Sequence, residues 1–221
     1  MLNMHSATAT PDEDRTSRAR IRDAAIARFA DQGVAATSLK VIAEDAGVSA
    51  PLVVHHFGSK EGLRAACDAY VAAVIREGKQ QVMAQGPQLD PLGALRRSAQ
   101  GPPVLAYLAR TLGDGSPQVA AVLDELVEDA VAYMEEGVRT GLLKASDHPR
   151  GRAVVLTLWS LGAVMLHEHA ERWLGVDLTA DPEHATAYLL PAVEILSRGV
   201  FADEVYEHVR GAVTDPEEAG S

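Results

Sequence analysis

TSLKVIAEDAGVSAPLVVHHFGSK, residues 37–60, reads as two short helices joined by a tight turn. Ile42, Ala43 and Ala46 form one apolar stripe, and Leu52, Val53 and His56-Phe57 begin another. Gly47-Val48-Ser49 interrupts them. Gly47 takes the positive φ that a three- to four-residue turn between steeply crossing helices demands. Ser38 and Ser49 stand where side-chain oxygens cap helix starts, and Pro51 fits a first helical turn, where no amide donor is missed. Two helices around a glycine turn form a helix-turn-helix, whose second helix enters a DNA major groove.

Working outward, Ala43, Ala46-Gly47-Val48-Ser49, His56-Phe57, Ser59-Lys60-Glu61 and Leu63 recur in an order and spacing that resembles the N-terminal domain of the TetR family of bacterial transcriptional regulators. Ala24-Ala25 to Phe29 and Gly33 to Thr37 fit that family's first helix, so the resemblance covers residues 16–75. One position departs: Val54 stands where the family usually carries a tyrosine, two residues before the histidine. The resemblance implies an all-α chain, with a three-helix DNA-binding domain followed by a larger helical domain for ligand binding and dimerisation. It implies no enzymatic activity. The partners it implies are double-stranded operator DNA, a second copy of the chain and a small-molecule effector. An alternative is a ligand-binding or enzymatic helical protein with a vestigial helix-turn-helix; Val54 and the acidity of the later chain favour it.

Charge supports the first reading. The 221 residues carry a net charge of −11, which excludes a protein that coats nucleic acid with its whole surface. Residues 15–60 nonetheless hold an excess of +3, while residues 61–221 carry −11. The segment with the DNA-reading motif is thus the positive one. The single cysteine, Cys67, rules out an internal disulfide and fits a reducing cytoplasm. It shares a helical face with Leu63, Tyr70 and Val74, as a small buried hydrophobe does. The apolar run from Ala153 to Leu166 is too short to span a bilayer, and no membrane partner is expected.

The periodicity predicts an arm without structure over 1–14, a helix-turn-helix domain over 15–62, a linking helix over 59–83, a helical domain over 63–213 and a frayed tail over 214–221. Within the larger domain, helices are expected over 91–99, 101–112, 117–140, 148–174, 182–197 and 202–213. Glycines, prolines and Ser/Asp caps set their limits. Ser116, Asp147 and Asp181-Pro182 read as helix starts, and Pro191 as a kink inside a helix.

Ser38, Lys40, Ser49, His55, His56 and Lys60 are expected to contact DNA or support the contacting segment, the lysines as charges on phosphate. Ala50, Pro51 and Leu52 are expected to touch thymine methyls or base edges. Tyr70, Tyr107, Tyr133, Met134, Trp159 and Met165 are expected to line a ligand pocket. Val155, Trp159, Gly162, Leu166 and Trp173 form one apolar stripe, and Tyr188, Ala192 and Ile195 another. Together they predict a two-fold interface of four helices. His167 and His169 lie two residues apart on a helix and face different ways, so no metal site is expected, and no cofactor.

Overall fold

The computed structural model describes residues 11–90, 101–113, 117–179, 185–200 and 203–214. Expectations for residues 1–10, the helix over 91–99, the starts at Ser116 and Asp181-Pro182 and the tail beyond 214 fall outside them. Among the described residues the chain forms ten α-helices, one short 3-10 turn and no strand. The helices are α1 (Pro11–Ala36), α2 (Leu39–Ala46), α3 (Ala50–Phe57), α4 (Lys60–Gln85), α5 (Val104–Leu112), α6 (Pro117–Arg139), α7 (Pro149–Met165), α8 (His167–Leu174), α9 (Thr186–Arg198) and α10 (Asp203–Thr214). No single described helix is long and apolar enough to cross a membrane.

The helix over α1 starts at Pro11, inside the stretch expected to lack structure. Ile21, Ala25, Ile26 and Phe29 line its inner face and are fully buried. Gly33 breaks the helix at φ 80°, and Thr37 Oγ1 donates to the Gly33 carbonyl at 2.8 Å, pinning the turn that follows. Ser38 caps α2 by accepting from the Val41 amide at 3.3 Å, and Ser59 caps α4 by accepting from Gly62 at 3.1 Å. Ser49 departs from expectation. It occupies the cap position of α3, but its hydroxyl makes no cap hydrogen bond.

α1 to α3 close around one apolar core that also takes Leu63, Cys67 and Val71 from α4 and Tyr107 from α5. α4 then runs along α6, α5 packs on both α1 and α7, and α6 lies against α7. α4 and α5 therefore belong to both halves of the molecule, and the core of the first half reaches well beyond residue 62.

The helix expected over 148–174 is two helices. α7 and α8 meet at 74°, with Leu166 at φ −99°, ψ 23°. No proline or glycine sits at the bend. It brings Ala170 beside Ala163 and Tyr188 onto a separate cluster of Val176, Leu178 and Ala185. Burying an aliphatic side chain is worth about 1.5–3 kcal/mol, whereas one helical hydrogen bond contributes about 1 kcal/mol net, so the cluster outweighs continuity. The start of α7 differs as well: His148 rather than Asp147 stands at its cap position, without a side-chain bond.

Candidate nucleic-acid interface and effector cavity

The rotation of α3 is set by Val53, which is fully buried in the head core. Val48, Ala50 and Phe57 pack partly against the same core. That leaves Ser49, Pro51, Val54 and His55 on the exposed side and Leu52 at its edge. Gly47 supplies the left-handed turn at φ 64°; the Gly47 and Val48 amides donate to the Glu44 and Ala43 carbonyls at 3.1 and 2.9 Å. α2 is thereby sealed at its end and α3 starts afresh. Because the Ser49 hydroxyl caps nothing, it remains open toward solvent at the start of α3, where it can donate to a phosphate.

The expected contact residues differ in what already holds them. The Lys40 side chain is 82% exposed and lies only 4.0 Å from Glu44. Lys60 is half-buried and donates to the Ala35 carbonyl at 3.1 Å, so one of its three protons ties α4 to the end of α1. The His56 ring lies 5.6 Å from that of His55 and 6.1 Å from that of Phe57, within the packing of α3. Arg28 bonds Asp45, with Nη2 to Oδ1 at 2.8 Å, clamping α1 to α2. The hydrogen bond from Arg28 holds the Asp45 carboxyl below its ordinary value. Arg18 and Arg22, read in the sequence only as part of the positive charge of residues 15–60, cover aromatic rings: Arg18 lies 5.4 Å over Phe57 and Arg22 lies 3.4 Å over the Tyr70 ring. Their signal is the i, i+4 spacing that puts both on one face of α1.

Between α4, α5, α6 and α7 lies a cavity of about 90 Å³. Ile75, Leu105, Leu108, Leu126, Leu161 and Val164 give it an apolar wall, and Arg76, Asp129, Tyr133, Thr157 and Ser160 supply polar groups. Of the six residues expected to line a pocket, Tyr133 is the one placed around this cavity. Tyr107 is 1% exposed and sits in the head core, its ring 6.4 Å from that of Phe29. Its hydroxyl donates to Asp68 Oδ1 at 2.6 Å. Burial first, then that hydrogen bond, push the phenol's ionisation upward, so it remains a donor. Tyr70 lies under Arg22 instead, Met134 packs with Ala130 and Ala153, Trp159 is half-buried on α7, and Met165 is half exposed. All six belong to apolar stripes, but only the tertiary arrangement tells which stripe faces a void. Arg76 and Thr157 were missed because a lone charge or hydroxyl on an apolar helix carries no periodic signal.

The stripe on α7 and α9 is largely uncovered. Val155 is 63% exposed, and Leu158, Leu190 and Leu196 are also exposed. Of the residues expected at an interface between copies, Val155, Leu166, Trp173 and Ile195 are exposed and Trp159, Gly162, Tyr188 and Ala192 half-buried. The bend after Met165 puts Leu166 and Trp173 on a different course from Val155, so they no longer continue one straight stripe. The two histidines near the bend separate as expected from their spacing. His167 Nδ1 lies 3.5 Å from Asp177, and His169 stacks on Trp173 at 5.7 Å.

Comparison with known proteins agrees with this architecture at both ends. Residues 21–67 match the model of bacterial regulatory proteins of the tetR family, and residues 100–202 match the tetracyclin repressor-like C-terminal domain. A TetR transcriptional regulator from Chloroflexus aurantiacus is 26% identical, with a TM-score of 0.54 over 84% of this chain and 97% of that one. A TetR-family regulator from Rhodococcus sp. is 22% identical, with a TM-score of 0.56 over 82% of this chain and 98% of that one. The HTH-type transcriptional regulatory protein RaaS of Mycobacterium tuberculosis is 38% identical over 200 residues, which cover 88% of this chain and 92% of that protein. Identity of that extent, across the reading head and the helical domain alike, carries the family with it: the chain belongs to the tetR family of bacterial transcriptional regulators, DNA-binding proteins rather than enzymes.

Proposed function

We propose that the protein is a cytoplasmic, homodimeric repressor that leaves its operator when a small, largely apolar molecule occupies the cavity between α4 and α7. One observation carries the reading. On α5, Leu108 lines the cavity while its neighbour Tyr107 is sealed in the head core and grips Asp68 of α4. A molecule that moves α5 by even an ångström must disturb the reading head, because packed cores are not continuously deformable. The effector shifts the balance only as far as it binds one arrangement better than the other. At about 90 Å³ the cavity is smaller than the ~150 Å³ that holds a benzene ring. Binding of anything larger must therefore widen it, which is the differential affinity the switch requires.

On DNA, Ser49, Pro51, Leu52 and His55 face the bases and the neighbouring phosphates. Val54 offers an apolar contact suited to a thymine methyl. Lys40 and Lys60 bind phosphate, and Ser38, Ala50 and His56 support α3. The exposed apolar face of α7 and α9 meets its two-fold copy, giving two reading heads spaced for half-sites about 34 Å apart or a multiple of that.

Band-shift titration on DNA flanking the protein's own gene tests the proposal. A near-palindromic fragment is expected to bind as a 2:1 complex. Substituting Lys40→Ala with Lys60→Ala removes four phosphate contacts per dimer and lowers the salt slope by roughly 3 to 4. A protein that sediments as a monomer and binds none of these fragments overturns it.

A further inference from the structure

The walls of the cavity hold more information than its size. Arg76 Nη1 lies 3.1 Å from Asp129 Oδ2 and 3.3 Å from Glu125 Oε1. One guanidinium is shared by two carboxylates: Arg76 and Asp129 line the void, and Glu125, 46% exposed, draws on the same guanidinium from the solvent side, so Asp129 is only partly neutralised. The charge of Asp129, after burial, raises the ionisation of Tyr133 on the next turn of α6, so that hydroxyl keeps its proton. Across the cavity Thr157 is 8% exposed, and its Oγ1 has no hydrogen-bond partner among the described residues. A buried hydroxyl without a partner is costly, and one facing the same void as the Asp129 carboxylate has the character of a ligand contact.

We propose that this cavity takes a slender apolar molecule bearing one protonated amine. The inference rests on reading the cavity as the effector site and specifies that effector's chemistry. The ammonium pairs with Asp129, the carboxylate that lines the cavity and holds only a share of Arg76. The apolar body lies against Leu105, Leu108, Leu126 and Leu161, and the Thr157 hydroxyl meets a polar atom near the charged end. A carboxylate of the same shape is repelled by Asp129, and Arg76, the cation in the wall, is already engaged by two carboxylates. An alcohol of the same shape fits but leaves Asp129 only partly neutralised. The acidity of residues 61–221 as a whole also favours the approach of cations.

An isosteric series separates these cases: hexylamine, hexan-1-ol and hexanoate, titrated into the full-length protein at pH 7 by calorimetry and by melting temperature. Hexylamine is expected to bind at least tenfold more tightly than hexan-1-ol, and hexanoate not measurably. Asp129→Asn, and separately the more exposed Glu125→Gln, bring the amine down to the affinity of the alcohol. Thr157→Val weakens amine and alcohol alike by several-fold. Circular dichroism and operator binding of each variant confirm that it folds. If alcohol and amine bind equally, or hexanoate binds best, the amine assignment is overturned while the effector cavity stands. If none of the three binds or shifts the melting temperature, both fall.

Discussion

Removing one oxygen atom tests the joint between the two halves. Tyr107→Phe keeps the ring against Phe29 and deletes the hydroxyl that donates to Asp68 Oδ1 at 2.6 Å. The carboxylate stays behind, 8% exposed, with Arg64 Nε 3.7 Å away. A hydrogen bond to a charged acceptor contributes about 1.5–3 kcal/mol. For a chain of this size each kcal/mol moves the melting temperature by about 2–4 °C, so a fall of roughly 3–12 °C is expected. Differential scanning calorimetry measures it, with Tyr206→Phe as the control, since Tyr206 is about half exposed. Because the lost bond ties the cavity-lining helix to the head, Tyr107→Phe is also expected to keep operator binding and to blunt its response to any cavity ligand. A melting temperature within 1 °C of the parent refutes the claim that this bond holds α5 to α4.

Gly62→Ala sets a Cβ 2.1 Å from the Phe57 carbonyl oxygen, a backbone atom that moves only if α3 and α4 part; overpacking of this kind costs about 1–3 kcal/mol, and urea unfolding and band shifts are expected to show lost stability and lost operator binding together. Ser38→Ala removes a working cap and costs about 1 kcal/mol in urea unfolding. Ser49→Ala, by contrast, leaves the unfolding midpoint in place and weakens operator binding. The Cys67 thiol is pushed up to about 12, chiefly by burial; it is expected to resist a disulfide reagent at pH 8 until the protein is denatured, whereas a fast native-state reaction speaks against the packed head core. Asp45 is held below its ordinary value by Arg28, so its contribution to stability is complete above about pH 4 and lost as pH falls through the folded-state value. Acid unfolding of Asp45→Asn is therefore expected to be flatter than that of the parent below pH 4, and identical acid limbs count against the pair.

The sequence by itself determined the features that depend on a few neighbouring residues. The Gly47 turn, the cap at Ser38, the burial of Cys67 and the outward side of α3 follow from local geometry and a 3.6-residue period, both complete within one or two turns. An apolar stripe also says that a face is buried. It does not say against what, and there the tertiary structure decided. Tyr107 left the expected pocket because Phe29 and Asp68, distant in sequence, meet it in the head. The helix over 148–174 broke because the Val176, Leu178 and Ala185 cluster competes with a continuous ladder of hydrogen bonds. Arg76, Asp129 and Thr157 became one site only when three helices brought them around the same void, since no spacing along a chain encodes what stands across a cavity.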